Sequence, residues 1–396
     1  MLIKPNIEKF AKIKVVGIGG GGGNAINSMI SSGTILGVDF MAINTDKQDL
    51  NANKSDEVLQ IGENVTNGLG SGAVPEIGKQ SAEESKEEIK KHLQGYDMVF
   101  ITAGMGGGTG TGASPIVAAI AKELGALTVA VVTKPFEFEG ITRKQNAERG
   151  IRDLKEQVDA LITIPNQKLL DLEEKNLPIE QAFALADSVL SQGVKGISDL
   201  IVQPGLINVD FADVKTIMQN AGSALMGIGK AEGESRAEVA ANQAINSPLL
   251  DIDIKGATGI LLNIVGSGLT LAEVEVISTK VAKEAGDGAH IIIGANPIKD
   301  EKSKTLSVTV IATGFDSPYQ SYDSGDFTFT PLSQNNKDTD IPTSSNTLTK
   351  KDNKKDEKDL DIITDSDVEE DNKVSDKDED SAPDDPWRLP TFLRRG

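Results

Sequence analysis

Two glycine-rich segments hold the residue types that could do chemistry in this chain. Residues 17–25 read GIGGGGGNA, and residues 104–112 read GMGGGTGTG, with six glycines, two threonines and no basic residue. Backbone N–H groups in such loops bind phosphate oxygens where a strand ends and a helix begins. The Walker lysine pattern GxxxxGK[ST] is absent. We therefore expect backbone N–H groups, the hydroxyls of Thr109 and Thr111 and a divalent cation to balance the phosphate charge.

Either loop alone admits other interpretations. Gly17, Gly19 and Gly22 satisfy the G-x-G-x-x-G spacing of a dinucleotide fold, with Asp46 placed where a ribose-binding acid would sit. A nicotinamide-dependent enzyme with an unusual second domain is thus one alternative, and a turn or linker without a ligand is another. A nicotinamide enzyme needs one pyrophosphate cradle, whereas two loops facing one crevice predict a diphosphate or triphosphate gripped from both sides.

Short apolar runs alternating with helical segments must position these loops. The sequence predicts strands at 13–19, 38–44, 97–104, 126–133 and 159–165, each followed by a helical stretch. This alternation is typical of parallel βαβ units in an open sheet covered on both faces. A long helix is predicted over 178–201, opened by Pro178. Beyond it we predict helices at 211–220, 235–246 and 271–285 and strands near 222–229, 258–266, 289–294 and 305–314, which form a second α/β unit.

Composition and charge exclude several classes of function. Cysteine is absent and there are only two histidines, so disulfides and thiolate metal sites are impossible. The net charge of −20 argues against nucleic-acid binding. Residues 317–384 contain 19 acidic and 8 basic residues and few apolar ones, which predicts a disordered linker. No signal peptide and no run of about 20 apolar residues is found, so we expect a soluble, cytoplasmic protein without direct membrane insertion.

Five segments together resemble the FtsZ family of bacterial tubulin-like cell-division GTPases. They are GIGGGGGNA, GMGGGTGTG, VVTKPFEFEG, LITIPNQKL and PGLINVDFADV, and the ending LPTFLRR resembles the family's C-terminal peptide. The resemblance covers about residues 10–316 and the last dozen. It implies a tubulin/FtsZ-like α/β fold with a Rossmann-like parallel-sheet GTPase domain (1–177), a central helix (178–202), a second α/β domain (203–316), a disordered acidic linker (317–384) and a docking peptide (385–396).

The resemblance also implies which residues bind GTP or GDP, with Mg²⁺ at the phosphates. Asp187 and Asn166 would read the guanine edge, and Phe183 would stack on the base, although its spacing also suits a core position. An Asp187 carboxylate accepts from the guanine N1–H and 2-amino groups, donors that adenine lacks. Glu139 and Arg143 would contact the ribose. The remaining implied residues are Gly20, Gly21, Gly22, Asn24, Gly107, Gly108, Thr109, Gly110 and Thr133. Residues 64–74 resemble the family's γ-phosphate-sensing loop.

The segment 208–214, NVDFADV, admits two interpretations. From the sequence alone it is a helix start, with Asp210 as N-cap and Asp213 in the first turn. In FtsZ relatives this loop meets the γ-phosphate of the next subunit, which implies that Asn208, Asp210 and Asp213 polarise water in trans. The two roles are compatible. A nucleotide-binding assembly protein without turnover is a further alternative.

The partners implied by the resemblance are other copies of the chain and a membrane tether. The copies would form head-to-tail filaments of the division ring at mid-cell. A tether of the FtsA or SepF kind would bind residues 385–396. Arg388 stands where many relatives have an acidic residue, so the identity of the tether is left open.

Overall fold

A mostly parallel sheet runs through the part of the chain that the computed structural model describes, which is residues 11–315 without residues 34, 171–177, 204, 251, 287 and 299–303. Its strands are β1 (Ile13–Ile18), β2 (Val38–Asn44), β3 (Glu57–Gln60), β4 (Met98–Gly104), β5 (Leu127–Lys134), β6 (Ala160–Pro165), β7 (Gly222–Ala231), β8 (Gly259–Ser267), β9 (His290–Ile298) and β10 (Leu306–Thr313). The predicted linker (317–384) and docking peptide (385–396) lie outside the described residues.

The helices of the described residues alternate with these strands along the chain. They are α1 (Gly19–Ser32), α2 (Lys47–Asn51), α3 (Glu63–Thr66), α4 (Pro75–Glu84), α5 (Lys86–Leu93), α6 (Thr109–Glu123), α7 (Ile141–Lys155), α8 (Asn166–Leu170), α9 (Ile179–Val202), α10 (Phe211–Met218), α11 (Arg236–Ile245) and α12 (Leu271–Ala285), with a 3₁₀ turn at Glu137–Glu139. In this part of the chain no helix has the length and apolarity to cross a bilayer.

The strand order, β3-β2-β1-β4-β5-β6-β7-β10-β8-β9, confirms the predicted fold class. Neighbouring strands are parallel except β10, which is antiparallel to both β7 and β8. The order reverses between β1 and β4, and ligands of such sheets bind outside the carboxyl ends of the strands at this reversal. Both glycine-rich segments begin there, because one follows β1 and the other follows β4.

The buried faces explain why the strands were readable in the sequence. All six residues of β1 are buried, and neighbours such as Val15 and Val16 belong to hydrophobic clusters on opposite faces of the sheet. A strand buried on both faces is a continuous apolar run. The strand that the sequence analysis missed, β3, is short and pairs with β2 alone, and its sequence EVLQ is half polar.

Helix α9 packs across both halves of the sheet, and its glycines permit the close approach. A Cβ built on Gly193 would lie 3.2 Å from the sulfur of Met226, and one on Gly196 would lie 3.1 Å from Thr309. Both glycines therefore let α9 lie closer to the sheet than residues with side chains would.

Candidate functional site: a nucleotide cleft

A cleft of about 670 Å³ lies at the carboxyl ends of the parallel strands, beside the reversal of strand order. It is lined by residues that follow β1, β2, β4, β5 and β6 and by the first turns of α9. The structure brings 13 of the 14 predicted nucleotide-contacting residues to its wall: Gly20, Gly21, Asn24, Gly107, Gly108, Thr109, Gly110, Thr133, Glu139, Arg143, Asn166, Phe183 and Asp187.

Gly22 is the exception. A Cβ at Gly22 would lie 2.5 Å from the carbonyl oxygen of Thr102, beneath the first loop and away from the cleft. Its missing side chain lets α1 pack directly on β4. Gly22 therefore has a packing role, which is the usual role of the third glycine in this spacing, and its contact with a phosphate through the backbone stays a prediction.

The two glycine loops leave open space at one point of the cradle. Gly106 has a φ of +108°, which a residue with a side chain rarely adopts, and a Cβ on Gly108 would lie 2.2 Å from the hydroxyl oxygen of Ser71. At Gly107, in contrast, no heavy atom lies within 4 Å of the position of a Cβ. The N-termini of α1 and α6 begin in the same cleft, and their N–H groups attract anions. The geometry fits a phosphate chain lying against Gly107.

The threonines of the second loop have different roles. Thr109 lines the cleft, as expected for a phosphate donor. Thr111 is buried, and its Oγ1 accepts a hydrogen bond of 2.8 Å from the backbone N–H of Gly106. Thr111 therefore holds the loop in shape, which corrects the expectation that its hydroxyl meets a phosphate.

At the other end of the cleft, the side chains of Asn166 and Asp187 are suited to accept hydrogen bonds from a ligand. Asn166 is only 4% exposed, and its Oδ1 has no hydrogen-bond partner within the described part of the chain. Burial raises the pKa of Asp187 to about 6. Both groups would be satisfied by donors such as the N1–H and 2-amino groups of guanine.

An aromatic cluster stands beside these acceptors. Phe183 is 42% exposed and meets Phe136 edge to face, with 5.4 Å between the ring centroids. Phe138 stacks on Phe136 at 5.2 Å. An exposed ring on the cleft wall favours base stacking over the core position that was the alternative for Phe183.

Glu139 and Arg143 form an ion pair at the cleft edge. Glu139 also accepts a hydrogen bond of 2.9 Å from the backbone N–H of Phe136, which closes the 3₁₀ turn. The carboxylate of Glu139 therefore fixes the direction of Arg143 as well as facing the cleft.

An acidic and polar wall follows β2, and of its residues the sequence analysis named only Asp46, as a possible ribose-binding acid, and the segment 64–74. Asn44 donates to Asp49 at 2.6 Å, and Asp46 caps α2 by accepting from the N–H of Gln48. These residues and the segment 69–73 line the cleft. The available signal was the pair of carboxylates, Asp46 and Asp49, directly after a buried strand. Across the described residues, no group of three or more histidine or acidic side chains could hold a metal ion.

The three predicted catalytic residues do not line the cleft. Asn208 Oδ1 accepts from the N–H of Gly205 at 2.6 Å, and Asp210 caps α10 by accepting from the N–H of Ala212, so the predicted cap is confirmed. Asp213 lies in the first turn of α10, and all three side chains are exposed. All three lie in the first turn of α10 or just before it, beyond the end of α9 that is remote from the cleft.

Comparison with known proteins identifies the family. Residues 12–174 match the model of the Tubulin/FtsZ family GTPase domain, and residues 222–316 match that of the FtsZ family C-terminal domain. The structure of an empty FtsZ dimer from M. jannaschii is 48% identical, covers 78% of this chain and 90% of its own, and superposes with a TM-score of 0.75. A point mutant of FtsZ from M. jannaschii is 49% identical, with coverages of 78% and 92% and a TM-score of 0.74.

A more distant structure shares the fold. It is CetZ2 from Haloferax volcanii, a GTPγS-bound protofilament, with 24% identity, coverages of 76% and 92% and a TM-score of 0.65. The family matches set aside the nicotinamide enzyme and the assembly protein without turnover. The two glycine loops, the cleft between them and the matched domains together establish that this chain is a GTPase of the FtsZ family.

Proposed function

We propose that the chain binds GTP in this cleft and hydrolyses it only when a second copy closes the cleft, so that hydrolysis drives turnover of head-to-tail filaments in a cell-division ring at mid-cell. The phosphates would lie on Gly20, Gly21 and residues 107–110, and the guanine against Asn166, Phe183 and Asp187. Asn208, Asp210 and Asp213 of the next copy would polarise the attacking water.

The separation of the cleft from the loop at 203–210 is the observation on which this proposal rests. Helix α9 has 24 residues and a length of about 36 Å. Asp187 lies near its start in the cleft, and Val202 at its end touches Gly37, directly before the amino end of β2. Asp187 and Val202 are about 22 Å apart along the helix. The loop that follows α9 bridges to β9 through Ile207 and does not line the cleft of its own copy.

Two groups of exposed apolar side chains suit a head-to-tail contact. The front group consists of Leu69, Phe138, Ile141 and Ile179 around the cleft, and the rear group consists of Leu206, Ile207, Leu271 and Ile298. Within the rear group, Ile207 bridges to Ala295 of β9, and Ile298 of β9 pairs with Ser267, four residues before Leu271. Different surfaces that bind each other form a heterologous interface, which propagates as a filament. An FtsZ dimer and a CetZ2 protofilament among the similar structures support self-association.

A divalent cation fits the chemistry of the cleft. The carboxylate of Asp49 lies 3.6 Å from the position of a Cβ on Gly20, and Asp46 stands on the same wall. Oxygen ligands of this kind suit Mg²⁺, which would share them with the phosphates. When bound, Mg²⁺ neutralises charge on the β- and γ-phosphates. Arg143 would supply further positive charge from the opposite wall.

Complementation between two inactive variants tests the shared active site. Asp213→Ala keeps the cleft but loses a rear residue, whereas Gly107→Asp keeps the rear and blocks the cleft with a charged side chain. Each alone should hydrolyse little GTP. Mixed, they should recover phosphate release, because the cleft of the first copy meets the intact rear of the second. A mixture as inactive as its parts would contradict an active site shared between copies.

The C-terminal residues 385–396 are proposed as a docking peptide for a membrane tether of the FtsA or SepF kind. The support is the sequence LPTFLRR, an apolar and basic segment after 68 mostly polar residues. A chain truncated after Asp384 should polymerise and hydrolyse GTP but fail to bind the tether. Fluorescence of Trp387, the only tryptophan, should shift to the blue when the tether is added to the full chain. Loss of GTPase activity on truncation would show that the tail belongs to the catalytic unit.

A further inference from the structure

Three hydroxyl groups from separate segments meet at the start of α6. Thr45 follows β2, Ser71 precedes α4, and Thr109 is the first residue of α6. The Oγ1 atoms of Thr45 and Thr109 are 2.7 Å apart, and Ser71 Oγ is 2.9 Å from Thr109 Oγ1. Thr109 is therefore the centre of a hydroxyl triad that joins three loops around the phosphate cradle.

Burial decides the direction of the first hydrogen bond. A hydroxyl has one hydrogen to donate and two lone pairs. Thr45 is completely buried (0% exposed) and does not line the cleft, and among the described residues the only hydrogen-bond partner of its Oγ1 is Thr109. Because a buried hydroxyl hydrogen without an acceptor is costly, Thr45 donates to Thr109.

The remaining hydrogen of Thr109 then has two possible acceptors. It can point to Ser71 or into the cleft, whose wall includes Thr109. A phosphate oxygen is charged and forms a hydrogen bond roughly twice as strong as a neutral hydroxyl does. With phosphate bound, Thr109 donates to the phosphate and accepts from both Thr45 and Ser71. Such a chain of hydroxyls is polarised in one direction, which strengthens each bond.

We propose that Thr45 and Ser71 are positioning residues that turn the hydroxyl hydrogen of Thr109 toward the bound phosphate. Ser71 changes from acceptor to donor when phosphate arrives, so the segment 69–73 is held to α6 in the nucleotide-bound protein. The inference rests on the proposed position of the phosphates, and Thr45 is its most direct test because it lies behind the cleft wall.

The experiment measures the affinity of the full chain for GDP by calorimetry and compares two substitutions at one position. Thr45→Ser keeps the hydroxyl and removes a methyl group, whereas Thr45→Ala removes both. We expect the serine variant to bind GDP like the original chain and the alanine variant to bind roughly tenfold more weakly. In a Thr109→Ala background, Thr45→Ala should cause no further loss, because the hydroxyl that it positions is gone.

Thr128 provides a matched control. It is also completely buried, and its hydroxyl donates to the carbonyl oxygen of Ala126. Thr128→Ser and Thr128→Ala should bind GDP equally well. If Thr45→Ala fails to fold, Ser71→Ala replaces it, with the same expected loss and the same disappearance of that loss in the Thr109→Ala background.

The outcomes separate the inference from the site on which it rests. Equal GDP affinity for Thr45→Ala and Thr45→Ser would overturn the positioning role, as would a loss that persists in the Thr109→Ala background, since packing alone would then explain it. If Thr109→Ala binds GDP with unchanged affinity, the proposed phosphate position is itself wrong. A tenfold loss that is confined to chains with Thr109 supports both.

Discussion

At the scale of single residues, the cleft contains groups that suit a guanine nucleotide, one by its protonation and another by its small size. The pKa of Asp187 is raised to about 6 because burial disfavours its charged form. The raised value means that the unliganded fold binds this proton more tightly than the unfolded chain does. The contribution of Asp187 to stability therefore improves as pH falls through about 6 toward the unfolded value near 4.

Guanine binding should reverse this preference, because its donors favour the carboxylate. We predict that GDP affinity is nearly constant above pH 7 and falls as pH drops below about 6, approaching tenfold per pH unit. Asp187→Asn should weaken GDP binding and remove this dependence. Asp199, on the same helix and with a pKa also raised by burial, is the control. Asp199→Asn should leave the pH dependence in place, and if it abolished the dependence, Asp187 would not be the titrating group.

Substitution of Gly107 should weaken nucleotide binding without destabilising the fold. Its backbone needs no positive φ, and a methyl group there meets no atom of the protein within 4 Å. Gly107→Ala should therefore unfold at the same denaturant concentration as the original chain but bind GDP at least roughly tenfold more weakly, about 1.4 kcal/mol, because the methyl occupies phosphate space.

The neighbouring glycine provides the contrast. At Gly108 an added Cβ would lie 2.2 Å from Ser71 Oγ, so Gly108→Ala should lower the free energy of unfolding itself. Calorimetry and urea denaturation of both variants measure the two effects. Normal GDP affinity in Gly107→Ala would show that no phosphate lies against this residue.

At the scale of elements, α10 combines a structural and a proposed catalytic duty in one turn. Asp210 accepts from the N–H of Ala212 as N-cap, and in the proposed filament its exposed carboxylate would also face a neighbouring copy. Asparagine caps a helix as well as aspartate does, whereas alanine costs about 0.5–2 kcal/mol. The two duties can therefore be separated by substitution.

We predict that Asp210→Asn keeps the free energy of unfolding but lowers GTP turnover in filaments, whereas Asp210→Ala lowers both. Stability is measured by denaturation, and turnover by phosphate release per sedimented subunit. Asp213→Ala should keep GTP binding and filament entry while turnover falls by orders of magnitude. If Asp210→Asn turns over GTP normally, the residue acts only as a cap.

At the scale of the whole molecule, α9 separates the cleft from the loop of Asn208, and apolar groups flank both. Ile141 of the front group is 72% exposed and Leu206 of the rear group is 70% exposed. Contiguous exposed apolar side chains mark interaction surfaces. The front group of one copy and the rear group of the next therefore suit a contact between copies.

Charged substitutions at either group should block assembly without unfolding the chain. Ile141→Glu and Leu206→Glu should each raise the protein concentration needed for sedimentation with GTP and lower GTPase activity, while GDP affinity stays normal. Val239 on α11, also exposed but outside both groups, provides the control, and Val239→Glu should assemble as before. Normal assembly of both charged variants would place the interface elsewhere.

Local patterns in the sequence determined the fold class, most strand positions and the phosphate loops. Strands buried on both faces are continuous apolar runs, and glycine is required wherever the backbone must adopt positive φ or approach another segment, as at Gly106. Capping is equally local, so Asp210 could be placed at the start of α10 from its neighbours alone. The short edge strand β3 was missed because two of its four residues are polar.

Only the tertiary structure decided which of these residues meet. Gly22 and Thr111 have the right types and spacing for phosphate contact, yet neither lines the cleft. Gly22 lies where α1 packs on β4, and the hydroxyl of Thr111 accepts from the N–H of Gly106. The triad of Thr45, Ser71 and Thr109 spans three segments, and the separation of Asn208 from the cleft depends on the direction of α9. Contacts between distant segments arise from how the helices pack on the sheet, and no local periodicity encodes them.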